Sequence, residues 1–418
     1  MFQVLRNAWK IEDLRKRIIF TVLMLIVFRI GAHVPVPGIN TAVIKDIIEK
    51  GALFGFFDVV SGGAFKNFTI FAMSITPYIN ASIIMQLLTI VIPKLEQLAK
   101  EGEAGRKIIA QYVRYATVVL AFIQAIGMSI GFRTAVINPG FVSYAIIAIT
   151  LTAGTAFLMW LGEQITDKGI GNGISLLIFA GIVSRLPGGA FKLYQLVRIG
   201  TTSILAVLLF AVVAVLVIAG VIAIQQGQRR IPVQYAKRVV GRKMYGGQST
   251  HIPLRVNMAG VIPVIFAMSI LLFPSTIAGF FPGNKIATSI AQFLRPGGAV
   301  YAALYAVLIV FFTYFYTAVT FNPYDVANNM KKYGGFIPGI RPGKPTADYL
   351  NRVLSRITLA GALFLAFIAV MPYALRGFTT LNVYFGGTAL LIVVGVALET
   401  MKQIEAQMLM RHYEGFMK

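Results

Sequence analysis

Cysteine is absent from all 418 residues, which excludes disulfides, thiolate metal sites, iron–sulfur clusters and cysteine nucleophiles together. Histidine is scarce: His33, His251 and His412 stand far apart, and none is paired at metal-ligand spacing. No G-x-x-x-x-G-K-[ST] run occurs, so any energy from ATP must come through another protein. The run Gly169-Ile170-Gly171-Asn172-Gly173 misses the dinucleotide fingerprint too, and its glycines suit a tight turn where a chain re-enters a membrane. Charge makes up only 13% of residues, against about 25% in soluble domains. Acids are the scarcer sign, 15 Asp/Glu against 38 Lys/Arg, for a net charge of +23. What remains is 57% apolar, with a mean hydropathy of +0.77. A surface so poor in charge must face something other than water.

Ten apolar segments have spanning length, approximately 18–35, 68–92, 112–132, 141–161, 170–186, 203–224, 256–281, 299–321, 357–375 and 379–398. Each supplies enough residues, or nearly enough, to cross about 30 Å of hydrocarbon. Arg6, Lys10, Arg15, Lys16 and Arg17 precede the first of them, which predicts a cytosolic N-terminus and an uncleaved first helix. Alternating from there, 27 of the 38 basic residues fall on the inner side and 11 on the outer side, with both termini inside. The positive charge thereby finds a topological explanation, and a nucleic-acid role becomes unnecessary.

The expected fold is an all-α polytopic membrane protein of ten transmembrane helices. Cut near residue 195, the chain yields two halves, 1–195 and 196–418, with five spans each. In both halves the first span is followed by a long loop, 36–67 and 225–255, and these loops fall on opposite sides of the membrane. That spacing predicts an inverted pseudo-symmetric repeat with a functional path between the halves. Loop 225–255 carries seven Lys/Arg and no acid, and loop 322–356 carries six Lys/Arg and two acids around a Gly/Pro turn at Arg341. Both exceed ordinary helix–helix connections and suit a basic cytosolic surface for an acidic or RNA-bearing partner. In loop 36–67 the apolar stretch from Leu53 to Val60 is too short to cross a bilayer and reads by itself as interfacial.

The spans lack acids at mid-depth. Glu163 and Glu399 fall just beyond span ends, while Arg29 and Arg185 lie near outer ends, where a long side chain can snorkel. Internal polar groups are few: Asn80, Ser82, Gln86, Gln124 and Asn257. The competing reading, an inverted-repeat carrier for a small solute, normally requires ionisable groups at depth. Ile79, Ile83 and Gln86 share one helical face, and Ile174 and Ile178 repeat the four-residue isoleucine spacing.

Three stretches are distinctive: GGAFKNFTIFAMSITPYINASIIMQLL (62–88), FLMWLGEQITDKGIGNGISLLIFAGIV (157–183) and GGFIPGIRPG (334–343). With QSTHIPLRVNMAGVIPVIFA (248–267) and YFGGTALLIVV (384–394), they resemble the SecY family of protein-conducting channels over essentially the whole chain. The resemblance implies an hourglass pore in the cytoplasmic membrane, needing no cofactor, whose waist is ringed by Ile79, Ile83, Ile174, Ile178, Ile265 and Ile392. It turns the interfacial stretch into a plug comprising Phe54, Phe56, Phe57, Asp58, Val59, Val60, Ser61, Gly62 and Gly63. It also implies a lateral gate bearing Ser82, Gln86 and Asn257, with Gln86 and Asn257 able to hydrogen-bond across it. The docking surface for the SecA motor and the ribosome would use Arg341, Arg238, Arg242, Lys243, Arg255, Lys331 and Lys332. SecE and SecG would complete the complex, and unfolded preproteins with signal sequences would be its substrates.

Overall fold

The computed structural model describes residues 2–50, 61–200, 203–235, 238–240, 243–245, 249–279, 285, 289, 292–294, 298–375 and 387–416. An amphipathic helix α1 (Phe2–Lys10) leads into α2 (Glu12–Gly31) and, after a turn, α3 (Thr41–Lys50). Then come α4 (Thr76–Val91), α5 (Pro93–Lys100), α6 (Glu103–Gly131), α7 (Phe141–Lys168), α8 (Gly173–Val183), α9 (Leu186–Arg198) and α10 (Ile204–Gln226). A strand region follows, with β1 (Gln228–Tyr235), β2 (Arg238–Val240), β3 (Lys243–Tyr245) and β4 (Ser249–Arg255). The chain continues through α11 (Ile262–Gly279), α12 (Ala299–Thr320), α13 (Pro323–Lys332), β5 (Gly335–Phe336), α14 (Lys344–Leu375) and α15 (Gly387–Phe416).

A helix falls on each of the ten apolar segments. Among the described residues seven helical stretches are long and apolar enough to cross a bilayer, or eight if the bent pair α4–α5 is one span. Helix α2 stands outside that set because it carries Arg15, Lys16 and Arg17 in its first two turns. Helix α11 has no charged residue in its 18 positions. The 101° bend between α4 and α5 lies at Ile92-Pro93. Proline has no N–H to continue the ladder and drives the preceding residue out of helical geometry, and Ile92 accordingly sits at φ −99°, ψ 112°.

Two expectations need correction. Span two is not helical from residue 68: residues 61–75 form a buried run of turns and helix α4 starts at Thr76. Pro77 tolerates a helix only in its first turn, so the helix cannot extend back through it undistorted. The irregular stretch is satisfied by protein, with Val36 N–H donating to Phe68 O and Ile70 N–H to Val34 O, both at 3.0 Å. Non-helical backbone survives at membrane depth only when shielded in this way. The fold is also mostly helical rather than all-α. Strands β4, β1 and β5 form an antiparallel sheet in that order, with Ile231 opposite Ile252 and Gln234 opposite Phe336. Strand β1 alternates inward Ile231 and Val233 with outward Arg230, Pro232 and Gln234, the period-two pattern of a half-buried strand. The two long basic loops are therefore one body. Its core is Ile231, Val233, Leu254, Met330, Ile337 and Leu350.

Outside the main core the helices show apolar flanks. Leu205, Leu209, Val215 and Leu216 of α10 are each more than 60% exposed. A helix apolar on every side with so little buried surface is soluble only in lipid.

Candidate pore and docking surface

The six isoleucines reach one place from four helices. Ile79 and Ile83 stand on α4, Ile178 on α8, Ile265 on α11 and Ile392 on α15, all buried in the same contiguous apolar cluster, with half-buried Ile174 of α8 packed against it. The approach of α8 to α7 depends on glycine. A Cβ added at Gly162 would meet Ile174 Cδ1 at 2.5 Å, and one added at Gly173 would meet Gly162 O at 1.9 Å.

The glycine run at 169–173 performs the turn expected of it. Gly169 ends α7, Gly171 adopts φ +87°, and Asn172 caps α8 by accepting from Ser175 N–H at 3.1 Å. Thr21 of α2 braces the turn, its hydroxyl accepting from Ile170 N–H at 3.0 Å.

Among the described residues, no Asp, Glu, Lys, Arg or His is buried. Glu163 lies within α7, five residues before the end of that helix. Its charge is answered by Arg114 of α6, Nε to Oε1 at 2.7 Å. Also among the described residues, no group of three or more His, Cys, Asp or Glu could hold a metal ion.

Ser82, Gln86 and Asn257 are the polar groups expected at a lateral gate. Helices α4 and α6 pack against α11, and Ser82 and Gln86 are half-buried on α4. Asn257, 5% exposed, donates from Nδ2 to Gly260 O at 2.9 Å, and its Oδ1 is buried without a partner. The bond from Gln86 to that oxygen is not made. A buried acceptor without a donor costs roughly 1–3 kcal/mol, so Asn257→Leu is expected to raise the melting temperature of the purified protein by several degrees. An unchanged melting temperature would mean that the buried oxygen carries no such cost.

On the basic body Arg341 is exposed at the tip of a pinned turn. Gly339 and Gly343 flank it at φ +81° and +99°, Ile337 is buried beneath, and Thr346 Oγ1 donates to Arg341 O at 2.8 Å. Lys331 and Lys332 are exposed in the last turn of α13, and Arg255 is exposed at the end of β4 opposite Gln228. Arg238 and Lys243 pair with Tyr245 and Val240 across the β2–β3 ribbon, and Arg242 falls outside the described residues. The sequence reading missed the β4–β1–β5 sheet that joins the two basic loops, although the alternation in QRRIPVQY signals it.

Of the plug positions, Phe54, Phe56, Phe57, Asp58, Val59 and Val60 fall outside the described residues. Ser61 is buried and its Oγ accepts from Phe65 N–H at 3.0 Å; Gly62 and Gly63 adopt φ +65° and +94°. Half-buried Arg29 donates from Nη1 to Gly62 O at 2.8 Å.

Helices with exposed apolar flanks packed around an uncharged aliphatic core, with a basic sheet-containing body, define a polytopic α-helical membrane protein. The SecY family model matches residues 69–401, and the chain belongs to the SecY family. It is 53% identical to the protein translocase subunit SecY of Halalkalibacterium halodurans, covering 100% of both chains. It is 49% identical to that of Escherichia coli K12 over 97% of this chain and 94% of the other. Among solved structures it superposes with a TM-score of 0.67 on a SecY channel described with its plug domain stabilising the closed state. That likeness covers 94% of this chain and 92% of the other at 19% identity, and bears on the fold alone.

Proposed function

We propose that this chain is the channel subunit of a protein translocase, a passive conduit that leads unfolded secretory polypeptides across the cytoplasmic membrane and releases hydrophobic segments sideways into lipid. It catalyses no reaction. The observation that carries the reading is the convergence of Ile79, Ile83, Ile178, Ile265 and Ile392 in one buried cluster, with Ile174 against it. Branched aliphatic groups offer ions no substitute for hydration, and they can conform to varied side chains on a threaded peptide.

In this reading ten helices cross the membrane in two inverted halves, 1–195 and 196–418, with both termini cytosolic. The seam between α4, α6 and α11 is the lateral gate. Phe54, Phe56, Phe57, Asp58, Val59, Val60, Ser61, Gly62 and Gly63 form the plug. SecE and SecG complete the complex. SecA or a translating ribosome supplies direction, docking at Arg341 with Arg238, Arg242, Lys243, Arg255, Lys331 and Lys332. Every one of these charges is basic, which suits carboxylates or RNA phosphate.

The absence of native cysteine makes the test direct. Single cysteines at Ile83 and Ile265 are expected to crosslink a stalled preprotein, with Lys66→Cys reporting the outer side. Crosslinks confined to lipid analogues, with none to the preprotein, would refute the conduit.

A further inference from the structure

Gly62 occupies an unusually close position. It adopts φ +65°, and a Cβ added there would lie 2.8 Å from Gly181 Cα and 3.1 Å from Gly181 O on α8. Gly181 is three residues beyond Ile178, so the backbone at Ser61–Gly63 lies one helical turn outward from the isoleucine cluster. Two cations from different helices meet this stretch. Arg29, in the last turn of α2, donates from Nη1 to Gly62 O at 2.8 Å. Arg185, just past α8, has Nε and Nη2 each 3.9 Å from where a Gly63 Cβ would stand. A permanently charged donor on a carbonyl makes a short, strong hydrogen bond, and a guanidinium keeps its charge at every accessible pH.

We propose that Arg29 is a positioning residue that latches Gly62 to the wall of the conduit, and that this bond must break before the exit side can open. The inference rests on the channel reading above. Arg29 touches no translocating chain; it holds the backbone at residues 61–63 against α8, and the glycine pair makes the approach close enough for the bond. Losing the bond shifts the resting population toward the open exit, whereas keeping a shorter cation preserves part of it.

The test uses the assembled complex in planar bilayers, with potassium chloride as the permeant salt and no substrate present. Arg29→Gln is expected to raise resting conductance roughly tenfold, about the ratio that one charge-assisted hydrogen bond sustains. Arg29→Lys should fall between it and the parent. Gly62→Ala should also raise the leak, and Arg29→Gln with Gly62→Ala should be no leakier than the stronger single variant, because both break one contact. Export of a preprotein with a defective signal sequence should rise in the same order. The Ile83→Asn, Ile265→Asn double variant serves as the positive control. A conducting control with parental leak in Arg29→Gln and Gly62→Ala overturns the latch and leaves the channel reading intact. A silent control overturns both. Should Arg29→Gln fail to assemble, Arg29→Lys and Gly62→Ala decide the question by the same readings.

Discussion

Replacing Ile83 and Ile265 together by asparagine is expected to turn an electrically silent resting channel into a conducting one, with current at least about tenfold above the parent. Both side chains are buried in the central cluster, Ile83 at 3% and Ile265 at 7% exposure, and they stand on α4 and α11 across the proposed gate. A constriction lined by aliphatic groups excludes ions by dewetting, since nothing there replaces the hydration shell. Two facing amides supply donors and acceptors at that level. Leaving them dry costs about 1–3 kcal/mol apiece, so water follows them in and ions follow water. The matched control is Ile83→Leu with Ile265→Leu. Volume-conserving apolar exchanges usually cost less than about 1.5 kcal/mol, and that variant should stay silent. Planar-bilayer recordings decide the matter, and a silent asparagine double variant would mean that the cluster is ordinary core.

Arg341→Glu is expected to weaken docking of the SecA motor by about 30-fold or more and to stop motor-driven export, while the complex still assembles. Assembly survives because the side chain is exposed, and exposed substitutions away from special features usually stay within about 0.5 kcal/mol. The turn itself is held by Ile337 beneath and by the Thr346 hydroxyl on Arg341 O, neither of which the substitution touches. Docking suffers because reversing one partner of a desolvated charge pair costs at least the 2–5 kcal/mol of truncating it. Arg341→Lys should give an intermediate loss, because an ammonium keeps the charge without the planar fork. Titration of the motor against the complex in nanodiscs measures the shift, and parental affinity in Arg341→Glu would take the residue out of the docking surface.

Much of this was readable from composition. Lipid as the solvent, the positions of the helices and the lack of buried charge all follow from where the apolar runs lie. The glycine turn at 169–173 and the turn at Arg341 were equally accessible, because glycine marks the positions that adopt positive φ there. Glu163 shows the limit. A span boundary drawn by hydropathy stopped at residue 161, whereas helix α7 continues to Lys168, and the Glu163 carboxylate within it meets Arg114, 49 residues away in the chain. Asn257 shows another. Its isolation in an apolar run suggested a partner across the gate, but a glycine carbonyl three residues along the chain took the amide first.

Composition and local order by themselves determined that this chain is a mostly helical, multi-pass membrane protein poor in buried charge, since burial preference and turn propensity are local properties. Only the tertiary structure decided that residues 61–75 stay non-helical, that two distant basic loops share one sheet and one core, and that Arg29 grips Gly62. Each of those outcomes depends on a partner more than about 30 residues away, and pairing at that distance leaves no periodic trace in sequence.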